Sequence, residues 1–146
     1  MVESAYPPEG AVVRPGILVV RLTFNVAMSC NGIFLKLPPM EKPCGEAAMQ
    51  EAWLSYDRRT IRMKCMVSPN RRYGYRLNSG PDPSYDKLRL GLVGNANFIS
   101  LAGLPLKSFK TTFTTSGGPR VTDIREAEAQ DKDAPPNAPE LAASSR

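Results

Sequence analysis

The stretch of residues 97–117 constrains the fold of this chain most. It is predicted to be a turn and a Gly-x-Pro corner at Gly103-Leu104-Pro105, followed by a terminal strand whose side chains alternate with the two-residue period of a half-buried β-strand. In the predicted strand at 109–115, Phe109, Thr111 and Phe113 share one face. A strand of this kind has an apolar face that it cannot bury by itself. We therefore expect the upstream chain to supply the other strands of a two-sheet core.

Turn signals divide the rest of the chain into short segments with the same alternation. The clearest is residues 17–25, whose predicted inward face carries Leu18, Val20, Leu22 and Phe24. Further strands are predicted at residues 33–37, 52–56, 60–67, 72–78 and 88–93. With 14 prolines and 11 glycines in 146 residues, about seven such strands predict an all-β fold, an aligned two-sheet sandwich.

The alternating pattern ends at Gly118-Pro119, which predicts a domain boundary. We expect residues 1–117 to form the sandwich and residues 118–146 to be a flexible, disordered tail or linker. Residues 126–130 suit a fraying helical turn at most, and residues 134–146 are rich in Pro, Ala and Ser.

No stretch approaches the roughly 20 apolar residues of a membrane-spanning helix. Residues 1–5 lack the basic start and apolar core of a secretory signal peptide, so we expect none in this sequence. A mature secreted domain behind an added methionine has the same start, which leaves the compartment open.

Positive charge is concentrated in the patterned part of the chain. Residues 1–120 hold 16 of the 19 Lys and Arg but 8 of the 14 Asp and Glu, so they carry a net charge of +8 and the last 26 residues carry −3. Strand alternation predicts an exposed basic sheet face that carries Arg62, Lys64, Arg72 and Arg76. The alternative function is therefore the binding of an anionic ligand, either polysaccharide or nucleic acid, through this face. A solvated arginine-rich strand face is the commoner explanation, and we do not expect nucleic acid because no nucleic-acid motif accompanies these residues.

Three cysteines allow one disulfide within a chain. Cys30 and Cys44 both lie in or beside predicted turns, and a bridge between them would close a loop of about 15 residues and contribute roughly 3 kcal/mol. Cys65 shares a strand face with Ile61, Met63 and Val67, so we expect it to be a buried free thiol.

Sulfur spacing raises a copper alternative. Met28-x-Cys30, Met40-x-x-x-Cys44 and Met63-x-Cys65-Met66 bring thiolate and thioether groups together, and these ligands suit Cu(I). Met63 and Cys65, however, alternate inward as core residues do, and the chain contains no histidine. We therefore expect core packing and no cofactor.

Catalysis finds no support in the sequence. The absence of histidine removes the commonest general base and zinc ligand, and no Gly-x-Ser-x-Gly, Walker or paired-carboxylate motif is present. We expect a protein that is not an enzyme and has no catalytic residues.

Four phrases in order resemble the bacterial Ig-like domains of S-layer and other surface proteins. They are Pro8-Glu9-Gly10-Ala11, then Leu22 to Met28, then Ser68 to Asn78, then Asn97-Phe98 through Gly103-Leu104-Pro105-Leu106 to Phe113-Thr114-Thr115. The resemblance covers residues 3–117 and departs from the family at Met40–Gln50 and Ser79–Asn95.

The resemblance implies an Ig-like β-sandwich with a structural, spacing or protein-contact role at the periplasm or cell surface. Its partners would be other protein domains or envelope components, and the isolated domain would be monomeric. It also implies a tyrosine corner, in which the Tyr73 hydroxyl returns to the backbone of the preceding turn. An ordinary core aromatic is the alternative for Tyr73.

Overall fold

The computed structural model describes residues 1–28, 52–77 and 100–141. Within these ranges the chain is built of strands in two sheets with one short helix, as the alternation predicted. The elements are β1 Val2–Tyr6, β2 Val12–Val13, β3 Gly16–Phe24, β4 Ala52–Leu54, β5 Thr60–Val67, β6 Arg72–Leu77, β7 Phe109–Thr115 and α1 Ile124–Ala129. The strands predicted at 33–37 and 88–93 lie outside the described residues.

The larger sheet has the order β1-β3-β5-β4 and is centred on the antiparallel pair β3 and β5. Their register runs from Gly16 opposite Val67 to Thr23 opposite Thr60. The predicted alternation of β3 is confirmed, because one face of it contributes to the main core and the other does not. The core residues of the two strands are Leu18, Val20, Leu22, Phe24, Ile61, Met63, Cys65 and Val67.

The smaller sheet has the order β2-β7-β6, with β2 parallel and β6 antiparallel to β7. Phe113 of β7 is buried opposite Tyr73 of β6, and the two rings stack with their centroids 5.7 Å apart. Both residues belong to the same core cluster as the inner residues of β3 and β5. The two sheets therefore enclose one apolar core.

Residues 119–141 form a segment that crosses the outer face of the larger sheet, and we call it the C-terminal strap. Val121 makes a parallel bridge with Gly16 at the start of β3. A second apolar cluster forms where the strap meets the sheet, and it contains Val19, Val121, Ala127 and Leu141, with Ile17 and Ile124 packed against it.

The predicted flexible tail is therefore wrong for the strap. Ile124 and Ala127 are one turn apart on the short helix, but Val121 and Leu141 lie outside it, so no periodic apolar pattern runs through the whole segment. They become buried because each one meets a sheet face that exists only in the folded chain. The predicted helical turn at 126–130 is present as α1, capped by the Asp123 carboxylate, which accepts from the Arg125 N–H at 2.9 Å.

Candidate functional site

An apolar groove of about 500 Å³ lies next to the C-terminal end of β3. It is walled by residues 25–28 on one side and by residues 100–102 and 104–107 on the other, with Met1 beside them. Leu101 and Leu104 are 59% and 66% exposed at its rim. Exposed large apolar side chains gathered around a concave surface mark sites of contact with other molecules.

Backbone hydrogen bonds hold the groove in shape. Ser100 donates its N–H to the Leu104 carbonyl at 2.8 Å, and its Oγ accepts from the Leu104 N–H at 3.1 Å. The Leu101 N–H donates to the Ala27 carbonyl at 3.0 Å, which joins the two walls. Because these bonds fix the turn, the backbone that carries the two leucines has little conformational freedom left to lose on binding.

A few cationic groups lie beside the groove. Lys107 forms part of its lining, and Arg58 donates from Nε to the Met28 carbonyl behind it at 3.1 Å. The amino group of Met1 donates to Asn25 Oδ1 at 2.6 Å. The arrangement offers apolar surface with a positive border, and within the described residues nothing in it resembles a catalytic constellation.

The predicted turn and Gly-x-Pro corner before the 109–115 strand gave no indication of the groove. Turn segments are usually built of Gly, Pro, Asn, Asp and Ser, so the presence of Leu101 and Leu104 beside Gly103 was the available signal. The pairing of that turn with Ala27, which makes the groove, depends on tertiary structure.

The predicted anion-binding face is contradicted by the structure. Arg62 and Lys64 lie on β5 in one sheet, whereas Arg72 and Arg76 lie on β6 in the other. Arg62 is only 6% exposed, because the strap covers it and its guanidinium donates to Glu128 Oε2 at 3.0 Å and to the Pro139 carbonyl at 3.1 Å. Lys64 is half-buried, Arg72 is exposed, and the Arg76 side chain lies outside the described residues.

A buried ion pair fixes the strap at a second point. Arg21 donates from Nε to Asp131 Oδ2 at 2.6 Å and from a terminal nitrogen to Oδ1 at 3.2 Å, and both side chains are 1% exposed. The other terminal nitrogen donates to Ser4 and Thr23 at 2.9 Å each, so Arg21 is well satisfied. Burial raises the pKa of the neighbouring Tyr6 hydroxyl, and the charge of Asp131 adds to that rise.

Cys65 is disulfide-bonded, so the prediction of a free thiol there is wrong. Cys30 and Cys44 lie outside the described residues, and the predicted bridge between them stays a prediction. Because the chain has three cysteines, a Cys65 disulfide within one chain uses one of the other two and competes with a Cys30–Cys44 bridge.

The same observation weakens the copper alternative, because a Cys65 disulfide within one chain takes two of the three cysteines and a disulfide sulfur is not the thiolate that Cu(I) prefers. Met28 and Met63 are buried in the main core. Across the described ranges, no group of three or more His, Cys, Asp or Glu side chains comes together in a way that could hold a metal ion.

The Tyr73 hydroxyl accepts from the Ser68 N–H at 2.9 Å. This is the return to the corner backbone that the family resemblance implied for Tyr73. It ties the start of β6 to the turn that follows β5.

Comparisons with protein-family models, curated proteins and solved structures found no match to this chain. Among residues 1–28, 52–77 and 100–141, no helix is long and apolar enough to cross a membrane. The assignment of function therefore depends on the geometry described above.

Proposed function

We propose that this chain is an Ig-like β-sandwich of the bacterial envelope or cell surface that acts as a non-catalytic structural and protein-contact module. The apolar groove carries the proposal, because a module that contacts other domains needs exposed apolar surface held in a fixed shape. Its partners would be other protein domains or envelope components.

Two further observations support the Ig-like fold and the location. The hydrogen bond from Ser68 to Tyr73 has the geometry of a tyrosine corner, which is characteristic of Ig-like sandwiches. The disulfide of Cys65 favours an oxidising compartment, since structural disulfides are rare in the bacterial cytosol.

The proposal is tested by photo-crosslinking in the native host. A benzoylphenylalanine placed at Leu104 lies at the groove rim. One placed at Val12 serves as the matched control, because Val12 is also an apolar residue, is 69% exposed and does not line the groove. We expect a discrete protein adduct from position 104 and none from position 12.

The same two variants separate a contact module from a surface without a partner. Adducts of equal yield at both positions would indicate random collision, and the absence of an adduct at position 104 would remove the groove as the basis of the proposal. Identification of the adduct by mass spectrometry then tests whether the partner is an envelope protein.

A further inference from the structure

Residues 55–59 form the tip of the hairpin between β4 and β5, and this hairpin tip lies against the groove wall that contains Met28. The Met28 N–H donates to the Arg58 carbonyl at 2.8 Å, and Arg58 Nε donates to the Met28 carbonyl at 3.1 Å. The Phe24 N–H donates to the Arg59 carbonyl at 2.7 Å, and Arg59 Nε donates to the Phe24 carbonyl at 3.2 Å. These reciprocal bonds hold the hairpin tip beside the wall, so the tip extends the surface that carries the groove.

Tyr56 lies in the hairpin tip with its side chain fully exposed. The turn that carries it is fixed by its own hydrogen bonds. The Arg58 N–H donates to the Ser55 carbonyl at 2.9 Å, and the Asp57 carboxylate accepts from the Ser55 hydroxyl and from the Arg59 N–H. Tyrosines on a fixed backbone suit protein interfaces, because they supply a large contact area and lose little conformational freedom. Tyr56 is thus placed as a second contact residue beside the groove.

The exposed apolar side chains favour a partner that has an extended surface. Seven large apolar residues are exposed among those that the structure describes, and four of them line the groove: Met1, Val26, Leu101 and Leu104. The two leucines stand at the rim, where a ligand lying inside the groove would leave much of their surface in water. A protein segment that reaches over the rim buries them as well, and this burial favours binding.

The walls of the groove offer few hydrogen-bonding groups to a partner. Ser100 Oγ accepts from the Leu104 N–H, and the Leu101 N–H is bonded to the Ala27 carbonyl. Lys107, in contrast, is exposed at the groove and forms no ion pair with any residue in the described ranges. An apolar segment with a carboxylate beside it matches both features, because its side chains need no hydrogen bonds and its charge complements the lysine.

We propose that the groove and the hairpin tip together bind one acidic, apolar segment of a partner protein. The apolar side chains of that segment occupy the groove, Tyr56 packs on its flank, and its carboxylate pairs with Lys107. This inference rests on the function proposed above and specifies the chemistry of the partner. It also makes the hairpin tip part of the same site rather than a separate surface.

The first test places benzoylphenylalanine at position 56 of the full-length chain in the native host, alongside the position 104 variant. Met66 is the matched control position, because it is an apolar residue, 48% exposed, that pairs with Ile17 at the other end of β5. We expect positions 56 and 104 to give adducts with the same protein and position 66 to give none.

The outcomes of this test separate the two proposals. An adduct at position 104 with no adduct at position 56, or with a different protein there, would overturn the shared site and leave the contact function in place. The absence of an adduct at position 104 would remove both.

The second test changes the charge of the groove in the position 104 variant. Lys107→Glu places a like charge against an acidic segment, so we expect the adduct yield to fall by about two- to fivefold. Lys107→Arg should retain the yield. Lys132→Glu is the matched control, because Lys132 is an exposed lysine of the strap that does not line the groove.

Peptide mapping of the adduct identifies the bound segment. We expect the crosslink to lie in a segment of the partner that combines large apolar residues with Asp or Glu. Equal yields in Lys107→Glu and Lys132→Glu, a crosslinked segment without carboxylates, or an adduct with a lipid in place of a protein would each overturn the proposal.

Discussion

At the scale of single residues, short polar contacts at turns and strand edges hold the sandwich in register. Glu9 accepts from the Thr112 N–H and hydroxyl, at 2.7 Å each, at the edge of β7. Asp57 accepts from the Ser55 hydroxyl and the Arg59 N–H in the turn before β5. Such contacts replace water at backbone groups that no neighbouring strand reaches.

Tyr73→Phe removes the acceptor of the Ser68 N–H while keeping the stacked ring. We expect the free energy of unfolding to fall by about 0.5–1.5 kcal/mol, measured by urea denaturation. Tyr56→Phe is the matched control, because Tyr56 is fully exposed. Equal effects of the two changes would show that the Tyr73 hydroxyl contributes nothing at the corner.

Glu9 gives the stability of the protein a dependence on pH in the acid range. The hydrogen bond from the Thr112 hydroxyl is the main cause that lowers the pKa of Glu9 below its ordinary value of 4.5. The stabilisation is therefore present above the unfolded-state pKa and is lost as pH falls through the lower folded-state pKa.

In Glu9→Gln this titration is absent, so we expect the stability difference from the unmodified chain to shrink as pH is lowered below about 4.5. Thermal melts across that range measure it, with Glu3→Gln as the control for loss of an exposed carboxylate. A difference that stays constant with pH would contradict the assigned role of Glu9.

At the scale of elements, the decisive contact is the docking of the strap on β3. A Cβ at Gly16 would lie 2.4 Å from the Val121 carbonyl oxygen, and Gly16 also has a positive φ of 101°. The close approach of the two backbones therefore requires glycine at this position.

Gly16→Ala should displace the strap. Gly10→Ala is its control, because Gly10 also has a positive φ, of 77°, but no atom within 4 Å of the added Cβ. Backbone strain is common to both variants. The additional decrease in the free energy of unfolding of Gly16→Ala, about 1–3 kcal/mol, therefore measures the clash with Val121. Limited proteolysis within 121–141 in Gly16→Ala but not in Gly10→Ala is the expected result, and equal resistance would argue against the Val121 bridge.

Among the ion pairs of the strap, the pair of Arg21 and Asp131 should have the largest effect on stability when one partner is removed. Asp131→Asn leaves a buried guanidinium without its counter-ion, and we expect a loss of about 3–5 kcal/mol by chemical denaturation. Glu126→Gln, which breaks the partly exposed pair with Arg14, should cost less than about 1 kcal/mol. A buried ion pair adds little net stability, because the cost of removing both charges from water offsets their attraction. The double change Arg21→Met with Asp131→Leu should therefore restore most of the stability lost in Asp131→Asn.

At the scale of the whole molecule, the strap makes residues 119–141 part of the folded unit rather than an appendage. The acidic C-terminal residues neutralise part of a basic body, and the three ion pairs join the two regions. Among the described residues, the strap thus covers the outer face of the larger sheet.

The disulfide of Cys65 also acts on the whole molecule. Its reduction should lower the free energy of unfolding by about 2–5 kcal/mol, chiefly because the unfolded chain is no longer cross-linked. Peptide mapping without reductant should find the Cys65 peptide joined to a peptide that contains Cys30 or Cys44. Alkylation of Cys65 in the unreduced, unfolded protein would contradict this.

The sequence alone determined the all-β class and the inward faces of β3, β5 and β7. Successive side chains of a strand point to opposite faces, so the alternation of apolar and polar residues can be recognised from the sequence. It also pointed to Tyr73 at the corner. Only the tertiary structure decided the fate of Arg62, which looks like a solvated strand residue until the strap buries it against Glu128. The strap, the groove and the disulfide of Cys65 all arise from contacts between residues distant in sequence, and no local period or composition encodes such contacts.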